Sequence, residues 1–250
     1  MTGLPRAEAF EAPSSWLTRA SLSQGIRPKD LLAFMGFARD VRRRADPNLL
    51  LMSAAGRRVL DSAGILATMP VARKVFDTLK SVDPKGAVLL RDPHGQPCSR
   101  YCPECLRDQR MPHFELHWRF EPWRHCPLHQ CLMEGRCAHC RQPVLLPFDM
   151  VNGGKAGVAH LRDCQHCARP LHAVTPVRLE GLGMTELDQV RLRNGRALMA
   201  ALYHGRLRVQ DGTWMKTSRS EKYIKAMTFW KPGGWYSPDD VRASAAVRIL

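Results

Sequence analysis

The sequence predicts a helix-rich α+β fold, and three observations lead there. Apolar residues recur at helical spacing through the first hundred positions. All nine cysteines then fall between Cys98 and Cys167, most of them in pairs two residues apart. Helical spacing resumes after the last cysteine. These observations divide the chain into an N-terminal helical domain at 1–97, a cysteine-rich region at 98–175 and a basic helical segment at 176–250. With 250 residues, 44% hydrophobic and 24% charged, the chain can bury a core, and its composition argues against disorder. No stretch approaches the roughly 18 apolar residues of a membrane span. The opening MTGLPRAEAFEAP lacks the apolar core of a signal peptide, so the prediction is a cytoplasmic protein with reduced thiols.

Each helix has its own signals. Ser14 or Ser15 can cap a helix carrying Trp16, Leu17, Ala20 and Leu22, Gly25 suits a left-handed stop, and Pro28 suits the first turn of the next helix. That second helix presents Leu31, Leu32, Phe34 and Met35. Between Trp16 and Phe37 the spacing also fits a helix-turn-helix, with Ser21 four residues before Gly25. Only Arg27 and Lys29 bring charge to the start of its second helix, so a plain helical hairpin in an interaction surface is the stronger reading. Further helical patterns cover Leu49 to Leu60 and Ile65 to Leu79, the latter interrupted at Met69-Pro70. Asp92 to Cys98 is turn-rich and marks a boundary. Beyond Cys167, Thr185 and Asp188 form a box-like cap ahead of Leu187, Val190, Ala197, Leu198, Ala201 and Leu202. Ser237 to Asp240 signal one more helix start.

The cysteine region reads as metal ligation. Four donor pairs occur in order: Cys102 and Cys105, Cys126 and His129, Cys137 and Cys140, Cys164 and Cys167. Two residues between donors let a tight turn aim both at one point, and two such turns complete a tetrahedron. Consecutive pairing gives one group of three cysteines and a histidine and one of four cysteines, at spacings near those of zinc ribbons. Crossed pairing is the alternative, and Cys98, Cys131, His125 and His139 are spare donors nearby. Thiolate-rich sets of this kind suit two structural Zn2+ ions per chain, with an iron–sulfur cluster as the competing reading. Between the first two pairs, His113 to Phe120 alternates polar and apolar, which predicts a strand with Phe114, Leu116, Trp118 and Phe120 on one face. Asn152 to Gly157 reads as a loop tip. The full prediction is an N-terminal helical domain, two tandem zinc-ribbon modules and a C-terminal helical segment.

Enzyme motifs are absent. A catalytic zinc keeps a coordination position open, whereas every donor pair here is complete. His113-Phe-Glu115 matches the first half of the zinc-deaminase signature, but Pro103 sits inside the first cysteine pair and no later pair is preceded by proline. No phosphate-binding glycine loop and no serine-nucleophile motif stand out. The expectation is no enzyme, with a zinc hydrolase or deaminase as the weakest alternative.

The formal charge of +15 favours a polyanionic partner. Its excess is seven over residues 1–100, two over 101–170 and six over 171–250, so it flanks the cysteine region. Arg27, Lys29, Arg42, Arg43 and Arg44 are candidate phosphate contacts, as is the row Lys216, Arg219, Lys222 and Lys225, spaced to wind slowly around a helix. Trp118 and Trp123 read as packing inside the first ribbon rather than as base-stacking platforms.

Taken together, Arg100-Tyr-Cys-Pro-Glu-Cys-Leu106, Leu116-His-Trp-Arg119, Cys126-Pro-Leu-His129 and Cys137-Ala-His-Cys140 resemble the TniQ/TnsD family of transposition target-selection proteins. Glu11-Ala-Pro-Ser-Ser-Trp-Leu-Thr-Arg19 is similar to that family's opening motif, with Ala12 where serine is usual. The resemblance implies a non-catalytic zinc-binding adaptor in DNA transposition and recombination by a mobile element. It implies that target DNA, or a DNA-bound targeting complex such as a CRISPR effector, is linked to an AAA+ ATPase. On it, Cys102, Cys105, Cys126 and His129 form the first zinc site and Cys137, Cys140, Cys164 and Cys167 the second. Longer members continue into further helical modules, which leaves homodimerisation and effector docking open. A sequence-specific DNA-binding transcription regulator is the alternative, and a nucleoid-associated cytoplasmic location would suit either.

Overall fold

The computed structural model describes residues 3–37, 46–146, 161–183, 186–208 and 214–216. Helices α1 (Pro13–Ser23) and α2 (Pro28–Phe34) form a hairpin. The cap of α1 is not a serine. Ala12 holds the N-cap position in extended conformation with Pro13 inside the first turn. The Ser14 N–H is satisfied from a distance, by Oδ1 of Asn48 at 2.8 Å, so a local side-chain cap has nothing to do. Gly25 closes the helix at φ 65°, and the Ile26 N–H reaches the Ser21 carbonyl at 3.1 Å, the hydrogen bond of a Schellman ending. A helical hairpin is therefore present, with a second helix of seven residues.

The pattern over Leu49 to Leu60 forms two helices, α3 (Pro47–Leu51) and α4 (Ala54–Ser62). Ser53 breaks it by capping α4, its Oγ accepting from the Gly56 N–H at 3.1 Å. The corner is tight: a Cβ on Gly56 would stand 2.4 Å from the carbonyl oxygens of Leu50 and Leu51. A 3-10 turn at Leu66–Thr68 leads to α5 (Pro70–Val82), so the chain does break at Met69-Pro70.

The predicted strand from Phe114 to Phe120 is overturned. Leu116–Arg119 is a 3-10 turn between two single-residue bridges, Glu11 with Glu115 and Leu89 with Phe120. Phe114, Leu116, Trp118 and Phe120 are all buried, as expected, but Arg119 is buried too. Alternation points to a strand with one face in water. Here Arg119, on the second face, is held by Asp46 and the Leu90 carbonyl, so the pattern marks burial without marking a strand.

Helix α6 (Pro103–Asp108) and the two-residue strands β1 (His125–Cys126) and β2 (Cys131–Leu132) carry the first donor group. Helix α7 (Glu186–His204) packs on α5 through the region of Ala197 to Leu202, and Lys74 lies 4.4 Å from the centre of the Tyr203 ring. A short hairpin of β3 (Arg206–Arg208) and β4 (Trp214–Lys216) follows. Lys216 thus lies on a strand, and the other three residues of its basic row lie outside the described residues. One hydrophobic cluster runs from Trp16 and Phe76 through Trp118 and Cys137 to Leu171 and Leu202, crossing residue 97 without interruption. No described helix is long and apolar enough to cross a membrane.

Candidate metal centres

The first group is assembled by two unlike turns. Cys102 is the N-cap of α6, and its Sγ accepts the Cys105 N–H at 3.5 Å. Pro103 occupies the first helical position, where no N–H is needed. Cys126 ends β1, and His129 stands on the turn to β2, followed by Gln130 at φ 48°. Nδ1 of His129 lies 3.4, 3.3 and 3.5 Å from the sulfurs of Cys102, Cys105 and Cys126, and Cys105 lies 3.5 Å from Cys126. A zinc tetrahedron has sulfur–sulfur edges of about 3.8 Å and sulfur–nitrogen edges of about 3.6 Å, from bonds of ~2.3 and ~2.05 Å. The four donors are therefore spaced to accept such an ion with small adjustment.

The second group is built from a repeated eight-residue loop. Arg136-Cys-Ala-His-Cys-Arg-Gln-Pro143 and Asp163-Cys-Gln-His-Cys-Ala-Arg-Pro170 make the same bonds. Arg136 bridges Pro143 and Asp163 bridges Pro170. Cys137 N–H donates to the Gln142 carbonyl and Cys164 N–H to the Arg169 carbonyl, at 3.0 and 2.8 Å. Arg141 and Ala168, each directly after the second cysteine, sit at φ 60° and 57°. These two residues and Gln130 are the described non-glycine residues with positive φ, and each follows a donor pair. Cys137 lies 3.7 Å from Cys167 and Cys140 lies 3.6 Å from Cys164, again the edge lengths of a tetrahedral thiolate site.

Within each group the four donor atoms lie within 4.8 Å of one another. All nine cysteines are free thiols. Thiol contacts with Cys105 and then Cys126 pull Cys102 down to about 3, while contacts with Cys102 and then Cys126 push Cys105 up. At Cys137, burial opposes ionisation, but the N–H groups of Cys140 and His139 outweigh it and lower the pKa. Burial raises Cys164 to about 12. Four like donors in one small volume cannot all ionise without a cation among them. Metal binding is the chemistry this arrangement serves.

Around the first group, a second layer of polar contacts fixes the donors. Nε2 of His129 meets Oδ2 of Asp108 at 3.0 Å, which directs Nδ1 at the sulfurs. Arg178 donates to the His129 carbonyl at 2.5 Å and to Glu104 at 2.6 Å. Farther out, the Glu11 carboxylate accepts from Arg19 and from Ser15 Oγ, and Ser15 Oγ in turn accepts the Phe114 N–H at 2.9 Å. Arg119 pairs with Asp46 at 2.5 Å, both side chains at most 1% exposed. The opening segment and the Trp-Arg segment therefore fasten the helical unit to the first metal module.

Consecutive pairing is the arrangement adopted. Of the spare donors, His125 is buried and stacks on Trp123, His139 is exposed beside Arg169, and Cys98 is half-buried and bridged to Leu145. Cys131 is buried against Cys102. Among the basic candidates, Arg27 is exposed and paired with Asp30, Lys29 is exposed, and Lys216 is exposed on β4. Arg42, Arg43, Arg44, Arg219, Lys222 and Lys225 lie outside the described residues, as does the Asn152 to Gly157 loop. Asp108 and Arg178 escaped the sequence reading, being joined to His129 only by the fold. Ser15 and Arg19 share a face of α1 at i, i+4, but Glu11 lies before the N-cap, so its place beside them follows from the fold.

The class of protein is defined by these features: a helical unit locked through buried polar contacts onto two four-donor metal-binding modules, the second built from a duplicated loop. The chain belongs to the TniQ family, whose profile matches residues 4–133, just over half of its length. No match was found among curated protein sequences. The matched span contains the first donor group and ends before the second. This is a transposition-associated protein of a non-catalytic family.

Proposed function

We propose that the protein is a zinc-binding adaptor for target-site selection in DNA transposition, joining target DNA or a DNA-bound targeting complex to the AAA+ transposition ATPase. Membership of the TniQ family over residues 4–133 carries this reading. Three features support it. Both donor groups supply four protein ligands, which suits structural rather than catalytic zinc. Glu11, Arg19 and Arg119, which belong to the family's motifs, are buried in ion pairs that join elements of the fold. The charge of +15 suits a partner rich in phosphate, with the excess outside the metal modules.

The segments 1–97, 98–175 and 176–250 serve as helical unit, metal-binding region and basic extension in this proposal. The test is a pull-down of the cognate transposition ATPase, with and without target DNA. Retention of the ATPase is the expected result. Loss of that contact together with tight, sequence-specific duplex binding would instead make the protein a transcription regulator.

A further inference from the structure

The first centre holds one donor more than a tetrahedron uses. Cys131 is fully buried on β2, directly across the hairpin from the ligand Cys126. Residues facing one another across an antiparallel pair project to the same side, with Cβ atoms about 5 Å apart. The Cys131 thiol therefore approaches the donor group on the Cys126 side, and its Sγ stands 3.7 Å from that of Cys102. This is the sulfur–sulfur edge of a tetrahedral thiolate site, about 3.8 Å. Cys131 is nonetheless outside the set whose donor atoms all lie within 4.8 Å of one another, so it borders the group through Cys102. Staggered wells are 120° apart, so one rotamer step moves a cysteine sulfur by about 3 Å, a displacement on the scale of that edge.

His129 is the complementary case. It is the single nitrogen donor, the least buried of the four, and its ring is held through Asp108, whose side chain is 64% exposed. A donor at the rim is the one most readily lost, and Cys131 stands already desolvated beside Cys102.

We infer that Cys131 is the reserve ligand of the first centre, taking the fourth position when the imidazole of His129 leaves. In that exchange His129 would give up its place, the Cys131 thiol would give its proton to water, and the sulfurs of Cys102, Cys105, Cys126 and Cys131 would hold the ion. No oxidation state changes, and the donor set passes from three sulfurs and a nitrogen to four sulfurs. The inference rests on reading the first group as a metal centre.

The test uses the full chain as wild type, His129→Ala, Cys131→Ala and the double variant. Metal is counted by native mass spectrometry after loading with zinc, and donors are read from the optical spectrum after loading with cobalt(II). Wild type and Cys131→Ala are expected to hold two ions with the same spectrum. His129→Ala should also hold two, with a stronger sulfur-to-cobalt band as the thiolates rise from seven to eight per chain. The double variant should hold one. Loss of an ion from His129→Ala, or two ions with an unchanged sulfur band, overturns the inference. Fewer than two ions in wild type would break the reading of the centres instead. Release to a chelator gives a measurement independent of the folding of His129→Ala. Cys131→Ala should surrender one ion at least severalfold faster than wild type, and equal rates count against a reserve ligand.

Discussion

The buried pair of Asp46 and Arg119 makes the strongest stability prediction. Both side chains are at most 1% exposed. Arg119 also donates Nη1 to the Leu90 carbonyl at 3.0 Å, and Asp46 caps α3 by accepting the Asn48 N–H at 2.9 Å. In Asp46→Asn the shape and the cap survive, because asparagine caps as well as aspartate. What is lost is the charge opposite a guanidinium that has no water to replace it. Breaking a buried pair from one side costs about 3 to 5 kcal/mol. That is a large share of the ~5 to 15 kcal/mol that holds a typical domain together. With a urea slope of about 1 to 3 kcal/mol per molar, the unfolding midpoint should fall by roughly 1 to 5 M. Arg119→Met, close in volume, should cost a similar amount. The double variant Asp46→Leu/Arg119→Met should recover much of the loss, since two apolar residues leave no orphaned charge. The assay is urea unfolding followed by tryptophan fluorescence at fixed free zinc, so that metal loss does not differ between variants. Trp16 and Trp118, on either side of the junction, are both buried. A single variant within about 1 kcal/mol of wild type would refute the reasoning, as would a double variant showing the sum of the single losses.

Four further outcomes are expected. Cys126→Ser should reduce the metal content by one ion per chain, read by native mass spectrometry. Asp108→Asn should weaken the first centre by about 10- to 100-fold in a zinc competition titration while leaving the second unchanged, because only His129 loses its orienting partner. Gly195→Ala should destabilise the protein by about 1 to 3 kcal/mol in the same urea assay, since its Cβ would stand 2.2 Å from the Pro122 carbonyl oxygen. Metal affinity should rise with pH across neutrality: burial raises Cys164 to about 12, so an ion must displace protons that the empty site retains. The stabilisation is therefore lost as pH falls, and zinc binding measured in buffers of different ionisation enthalpy should show proton release.

The sequence revealed most where the chemistry is local and least where it depends on what packs opposite. Donor spacing is local: two residues between ligands fix a turn, and all eight donors come together in the predicted consecutive pairs. Pro28, Gly25 and Pro70 mark helix ends in the same way, through the φ that each requires or permits. The segment from Phe114 to Phe120 shows the opposite behaviour. Its alternation correctly marks four buried residues, yet the strand reading takes Arg119 and His117 to face water. Instead Arg119 is sealed against Asp46, a residue 73 positions earlier, and His117 is half-buried against Glu115. An arginine at such a place looks like surface in any local reading, because only its distant partner makes burial tolerable. The same rule separates the two kinds of cysteine. Cys126 was found by its two-residue spacing to His129. Cys131 has no such partner, and its place beside Cys102 depends on β1 and β2 bringing it across from Cys126. Sequence spacing identifies the donors that make a centre, whereas the hairpin register identifies the donor able to replace one of them.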